Sequence, residues 1–253
     1  MLGKNKIKGI KSLEKKKYRD ETSCFLAEGN KLVNDMLPYF DCELLLAKAS
    51  WLATQGDIRA KELIVAEGDE IERASLLKNP QDVLAVFRKA EHKIDLSEIE
   101  QELSLVLDGI QDPGNMGTII RIADWFGIRN IICSPDTADC YNPKVVQATM
   151  GALTHVKLHY TPLDSFFRSI GTTPVYGTFL DGENIYQKEL GGQGIIVMGN
   201  EGNGISPAIE PFINQRLYIP NYPADTPSTE SLNVAVATAI TCAEFRRCQS
   251  YPV

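Results

Sequence analysis

The residues best equipped for chemistry gather in three loops, each of which follows an apolar run. The first is DGIQDPGNMG (108–117), the second GNEGNGIS (199–206), and the third opens IPNYPADTPSTESLNVAVATAI (219–240). In the first, Pro113-Gly114 marks a turn and Asn115 is a candidate helix cap. The helix predicted after it sets Ile119, Ile120, Ile122, Ala123 and Phe126 on one face, so Arg121 falls on the opposite one, roughly in line with Gly117. Arg121 is a permanent cation that is either simply solvated or turned to the loop mouth as an anion-binding group. In the second loop, glycines at 199, 202 and 204 allow close backbone approach to a ligand and positive φ, around the acidic Glu201. The G-x-x-G-x-G spacing is not a dinucleotide fingerprint, and no Lys-Ser/Thr follows as in a P-loop, which disfavours a nucleotide site of either kind. In the third loop Ser231 and Asn233 stand at a helix start, where their side chains either cap free N–H groups or face a ligand.

The elements that must position these loops alternate strictly. Strands are predicted at 103–108, 130–134, HVKLHY, PVYGTFL, 194–199 and 215–220. Helices are predicted at 117–126, 143–153, PLDSFFRSI, 206–213 and from about Ser231 to Arg247. Such alternation predicts a parallel sheet covered on both faces, with ligands at the carboxyl ends of its strands. Ala235, Ala239 and Ala243 give the last helix a small-residue face suited to close packing within the fold or across a dimer. Before Arg88 the α/β signals are shorter, and the charged segment Lys89–Glu102 reads as a linker. The division expected is 1–95, a linker at 96–102, and a catalytic domain at 103–253.

Bulk properties narrow the class. The chain has 253 residues and no apolar run long enough to span a membrane. Its N-terminus lacks the apolar core of a secretory signal. The six cysteines form no C-x-x-C pair, and the three histidines offer no metal-ligand spacing, so reduced cysteines in a cytoplasmic protein and no metal are expected. His155 and His159 read as a structural pair without a nearby acid. Net charge is −7, yet residues 1–20 hold eight Lys/Arg against Glu14 and Asp20, a local +6 that leaves −13 on the remainder. Charge alone leaves two readings open: a phosphate-contacting arm or a solvated, partly disordered tail.

Taken together, in this order and spacing, DPGNMGTIIRIADWFG, IIVMGNEGNGIS and IPNYPADTPSTESLNVAVATA resemble the three signature motifs of the SpoU (TrmH-like) RNA ribose methyltransferases. KSLEKKKYRDETSCFLAEG is more weakly similar to that family's small substrate-binding domain. The resemblance implies an α/β fold with a trefoil knot, preceded by a small α/β RNA-binding domain, and a homodimer. It further implies S-adenosylmethionine-dependent methylation of an RNA ribose 2′-hydroxyl, in rRNA more than in tRNA. The alternatives are a tRNA 2′-O-methyltransferase of the same fold or a non-catalytic RNA-binding descendant. Carried over by position, the family's catalytic set falls on Asn115, Arg121, Glu201, Ser231 and Asn233. Its cofactor contacts fall around Thr178, Gly199, Gly202, Ile219 and Leu232. One departure is Gln147, where many relatives carry arginine. A guanidinium holds its proton too tightly to be an easy base, so the resemblance leaves Arg121 as a phosphate ligand and alkoxide stabiliser, with the proton acceptor open.

Overall fold

The computed structural model describes residues 2–223 and 231–250 and divides into two compact units. Residues 224–230, part of the third motif, lie outside the described residues.

The first unit comprises residues 1–91 together with 139–154. Helices α1 (Lys4–Ser12) and α2 (Lys16–Thr22) precede β1 (Cys24–Glu28), α3 (Asn30–Met36), β2 (Cys42–Lys48) and α4 (Ala49–Leu52). Then come β3 (Leu63–Ala66), α5 (Glu70–Ala74) and β4 (Val83–Arg88). The sheet order is β1-β4-β2-β3, antiparallel except for the parallel β2–β3 pair. β1 is buried throughout, as its unbroken CFLAE run requires of a strand covered on both faces. The basic N-terminus is helical rather than disordered. Leu2, Ile10 and Leu13 are buried in a core with Leu26, Leu46 and Leu84, while Lys4, Lys8 and Lys11 share the exposed face of α1 at i, i+4, i+7.

The composition-based division put 139–154 with the C-terminal domain; by its contacts this segment groups with the first unit. Two side chains explain why. The almost fully buried Arg19 donates to Asp139 Oδ2 at 2.6 and 3.0 Å and to the carbonyls of Leu13 and Glu14 at 2.8 Å. Tyr141 packs on Phe25, with ring centroids 4.7 Å apart, and its phenol bonds the backbone of Ala90. Later in the segment α8 (Pro143–Thr149) carries the half-buried Gln147 and ends at Met150 in the left-handed region. Burial holds the Tyr141 hydroxyl well above the usual phenol range.

The second unit, residues 92–138 and 155–253, contains a six-stranded sheet in which every pair is parallel. It begins with α6 (Leu96–Gln101), β5 (Leu103–Asp108), α7 (Pro113–Trp125) and β6 (Asn130–Cys133). After the segment given to the first unit follow β7 (Lys157–Tyr160), α9 (Leu163–Ser169), β8 (Val175–Asn184), β9 (Gly194–Gly199), β10 (Gln215–Tyr218) and α10 (Val234–Ser250). Strand order is β10-β8-β9-β5-β6-β7. β5 and β9 are fully buried, and Val106, Ile132, Val197 and Ile195 form a core with the Phe166 and Phe167 rings of α9. The chain leaves β5 toward β6 on one side, and β9 flanks β5 on the other. Such a switch point opens a crevice beyond the carboxyl ends of the strands.

Some local readings change. The predicted helix at 206–213 is a 3₁₀ turn at Glu210–Phe212, and the last helix begins at Val234. His155 does have an acidic neighbour, since its Nδ1 lies 3.0 Å from Asp124 Oδ1. His159 is buried against Asn130 Oδ1 at 3.1 Å.

Candidate active site

Each motif loop leaves the carboxyl end of a different strand of the second unit. After β5, the helix starts earlier than its apolar pattern indicates, because Asp112 is the cap and accepts from the backbone N–H of Asn115 at 2.8 Å. Asn115 therefore sits in the first turn of α7, and its side chain is released from capping for a longer-range task.

The loop after β9 is a closed turn. Asn200 and Gly204 exchange both backbone hydrogen bonds at 2.9 Å. The Asn200 Oδ1 accepts from the N–H groups of Gly202 and Asn203, and its Nδ2 donates to the Gly109 carbonyl at 2.7 Å. Gly199 is obligatory here, since a Cβ on it would lie 2.2 Å from the Gly204 carbonyl carbon, and Gly204, at φ +69°, takes a conformation that favours glycine. Asp108, at the end of β5, fastens the exit of this turn by accepting from Ser206 N at 2.7 Å. The turn leaves Glu201 projecting and exposed.

Three side chains then join the three loops. Asn115 Nδ2 donates to Glu201 Oε1 at 2.8 Å, and Asn115 Oδ1 accepts from Asn233 Nδ2 at 2.9 Å. Asn233 Oδ1 in turn accepts from Ala235 N at 3.0 Å and Val236 N at 3.3 Å, capping α10. The chain of bonds has only one consistent polarity. An ionised carboxylate accepts only, a backbone N–H donates only, and between them each amide has one possible orientation.

Beside this chain lies a cavity of about 550 Å³. Thr178, Gly199, Gly202, Ile219 and Leu232 all line it, as do Glu201 and Ser231. Asn115 and Asn233 do not line it: Asn115 meets it through Glu201, and Asn233 through Asn115. Arg121 is not drawn into the network: it is exposed on α7, on the stripe that carries Thr118 and Trp125, and makes no hydrogen bond or ion pair among the described residues. The wall also contains residues that pattern reading missed: Phe179, Glu210 and Arg216. Arg216 donates to Asp181 Oδ1 at 2.5 Å and to Glu210 Oε1 at 2.7 Å, and it holds the Asp181 carboxyl below the usual carboxylate range. No sequence signal marks them: a sheet irregularity brings Phe179 to Arg216, and Glu210 comes from the 3₁₀ turn after the second motif. Among the described residues no group of His, Cys, Asp and Glu could hold a metal ion.

Comparison with known proteins bears on this arrangement. Residues 102–243 match the model of the SpoU rRNA Methylase family. The chain belongs to the SpoU family. Residues 4–85 of this SpoU protein match an MRM3-like substrate binding domain. It is 32% identical over 240 residues, 93% of each chain, to the 23S rRNA (guanosine(2553)-2′-O)-methyltransferase RlmP of Bacillus subtilis. Among solved structures it resembles a candidate RNA methyltransferase of the TrmH family from Porphyromonas gingivalis, with TM-score 0.87, 44% identity, and 98% and 99% of the two chains covered. It also resembles the AdoMet-bound rRNA methyltransferase of Sinorhizobium meliloti, with TM-score 0.81, 31% identity, and 98% and 96% covered.

Proposed function

We propose that this SpoU protein methylates a ribose 2′-hydroxyl of rRNA with S-adenosylmethionine as donor. The observation that carries the reading is the bonded set Glu201–Asn115–Asn233 beside a cavity of about 550 Å³ at the carboxyl ends of the strands. The cavity suits the cofactor. Its volume lies within the usual range of about 300–1,000 Å³ for small-molecule sites. Gly199 and Gly202 offer bare backbone, while Met198, Ile219 and Leu232 offer apolar surface. Its charged wall residues, Glu201, Glu210 and Arg216, sum to −1 and face a ligand whose sulfonium, ammonium and carboxylate sum to +1. The bound cofactor supplies an electrophilic methyl group.

The residues divide the remaining work. Glu201, fixed by Asn115, and Ser231 orient the ribose so that its 2′-oxygen approaches in line, at near-attack distances of about 3 Å. Arg121, with no protein partner among the described residues, binds the adjoining phosphate and stabilises the alkoxide that develops. Asn233 holds the start of α10 in register with both.

The basic face of α1 supplies RNA affinity. A second copy of the chain packs on Trp125 at the end of α7, 85% exposed, and on Val236 of α10, 49% exposed, and leaves Arg121, one turn earlier, open to RNA. An exposed tryptophan of that degree is a preferred anchor for protein association. With rRNA as substrate, the cytoplasm is its place of work, and no helix among the described residues is long and apolar enough to cross a membrane. Mapping 2′-O-methyl sites in total RNA with and without the gene tests the function. An unchanged map would overturn it.

A further inference from the structure

The wall of the cavity is made by an irregularity between two strands. β10 pairs with β8 at Gln215–Tyr176 and Arg216–Gly177, and then resumes at Leu217–Glu183 and Tyr218–Asn184. While β10 advances by a single residue, residues 178–182 of β8 leave the ladder. Thr178, Phe179 and Leu180 of this excursion line the cavity, and Leu180 is 73% exposed. Its return is pinned at Gly182, where a Cβ would lie 2.5 Å from the Leu217 carbonyl carbon. Such an out-of-ladder segment has no sheet hydrogen bonds to fix its shape, so side chains must do so.

Arg216, the β10 residue at the break, does it. Its guanidinium lies 3.5 Å from the centroid of the Phe179 ring and donates at 2.5 Å to Asp181, both within the excursion. The other arm of the fork donates at 2.7 Å to Glu210, which belongs to the turn after the second motif. One planar cation thus ties the excursion to that turn.

We propose that Arg216 is a positioning residue for the cofactor: it shapes the site by gripping Phe179, Asp181 and Glu210, and does not itself ligate the bound molecule. The inference rests on the reading of this cavity as the S-adenosylmethionine site. It has a consequence that a direct contact would not have. Asp181 is 74% exposed at its side chain and does not line the cavity, so it influences a ligand only through Arg216. If Arg216 positions the wall, releasing it from Asp181 loosens the wall and weakens binding. If Arg216 were a ligand for the cofactor's carboxylate, the same release would free a donor and preserve or strengthen binding.

The test is calorimetric titration of S-adenosylmethionine and S-adenosylhomocysteine into the full chain and into Asp181→Asn, Asp181→Glu, Arg216→Lys and Phe179→Leu. Asp181→Asn is expected to weaken both ligands, on the order of tenfold for the pair and stack disturbed together. Asp181→Glu should restore most of the affinity. Arg216→Lys should not, because an ammonium has neither the fork nor the flat face for stacking. Asp181→Asn combined with Phe179→Leu should cost less than the two separately, since both act on one grip. In turnover, the KM for cofactor should rise while that for RNA stays fixed. Wild-type affinity in Asp181→Asn, or tighter binding, overturns the positioning role and leaves the proposed function standing. Absence of cofactor binding by the wild type overturns the proposed function and this inference with it.

Discussion

Asn115 and Glu201 stand 86 positions apart in sequence, yet the amide of one lies 2.8 Å from the carboxylate of the other. The bond is possible because Asp112 takes over the capping of α7 and because the closed turn 200–204 presents Glu201 outward. Its other end is equally committed, since Asn115 Oδ1 receives Asn233 Nδ2. This amide is the junction of the three motif loops.

Asn115→Asp tests the junction. The substitution is nearly isosteric, but it replaces a donor with a second carboxylate facing Glu201, turning attraction into like-charge repulsion. Methyl transfer is expected to fall by about 10²–10³, the usual cost of losing one preorganised polar group at a reacting centre. Any loss of cofactor affinity should be smaller than the loss of rate, because Asn115 does not line the cavity and reaches it only through Glu201. Single-turnover rates beside a cofactor titration read both; undiminished turnover would remove the junction from the mechanism.

Arg121→Ala addresses the charged group of the set that has no protein partner among the described residues. It is exposed on α7 and contributes no packing to the buried Ile119, Ile120 and Ala123. The melting temperature should therefore hold, with surface changes of this kind usually within about 0.5 kcal/mol. Turnover on RNA should drop by at least about 10² if the guanidinium stabilises the alkoxide. A variant that methylates at the wild-type rate excludes that role.

We propose the lysines of α1 as the ligands for RNA phosphate. Among the described residues Lys4, Lys8 and Lys11 carry no ion pair, whereas Lys6 is held by Glu62 and Lys16 by Asp20. Replacing all three by alanine should weaken RNA binding and make its salt dependence shallower, by about 0.7–0.9 in log–log slope for each phosphate that is no longer neutralised. Cofactor binding should be untouched. The full chain is the right vehicle, because a chain cut near Glu102 would keep residues 139–154 without Arg19 and Phe25, on which they depend. Equal slopes in variant and wild type would move RNA recognition elsewhere.

Glu28 gives a stability signature in the first unit. It is buried, and burial raises its carboxyl from the ordinary 4.5, against the lowering effect of hydrogen bonds from Ser75 Oγ and Leu76 N. A carboxyl with a raised folded value binds its proton more tightly in the folded state. It costs nothing when protonated in both states, and its penalty grows as pH rises from the unfolded value through the folded one. Glu28→Gln keeps an acceptor for Leu76 and can donate to Ser75, without a charge to desolvate. Its stability relative to wild type should therefore increase with pH between about 4 and 7. Urea unfolding across that range reads the difference; a constant difference would mean that Glu28 does not titrate with folding.

How much was legible in advance differs by element. Strands β5 and β9 were readable to the residue, because LSLVLD and GIIVMG are apolar runs bounded by glycine and charge, and both proved buried throughout. The three motif loops could be placed at strand ends for the same reason. The boundary of α7 was not readable: Pro113, Gly114 and Asn115 are turn residues by type, and only the Asp112 cap makes them helical. Nor was the position of 139–154, whose alternation continues that of the C-terminal half. What binds it to the first unit is Arg19, 120 residues away from Asp139.

The sequence by itself determined most strands and helices, since hydrophobic periodicity and turn chemistry are local, and the class of chemistry through the resemblance of its three motifs to those of the SpoU family. Tertiary structure alone decided which side chains meet. Asn115 reaches Glu201 and Asn233 because three parallel strands end at one edge, and Arg216 reaches Phe179 because a ladder loses its register between Gly177 and Glu183. Neither fact has a local signature. Each depends on where remote backbone segments are held, and that is settled by the packing of the whole unit, not by any stretch within it.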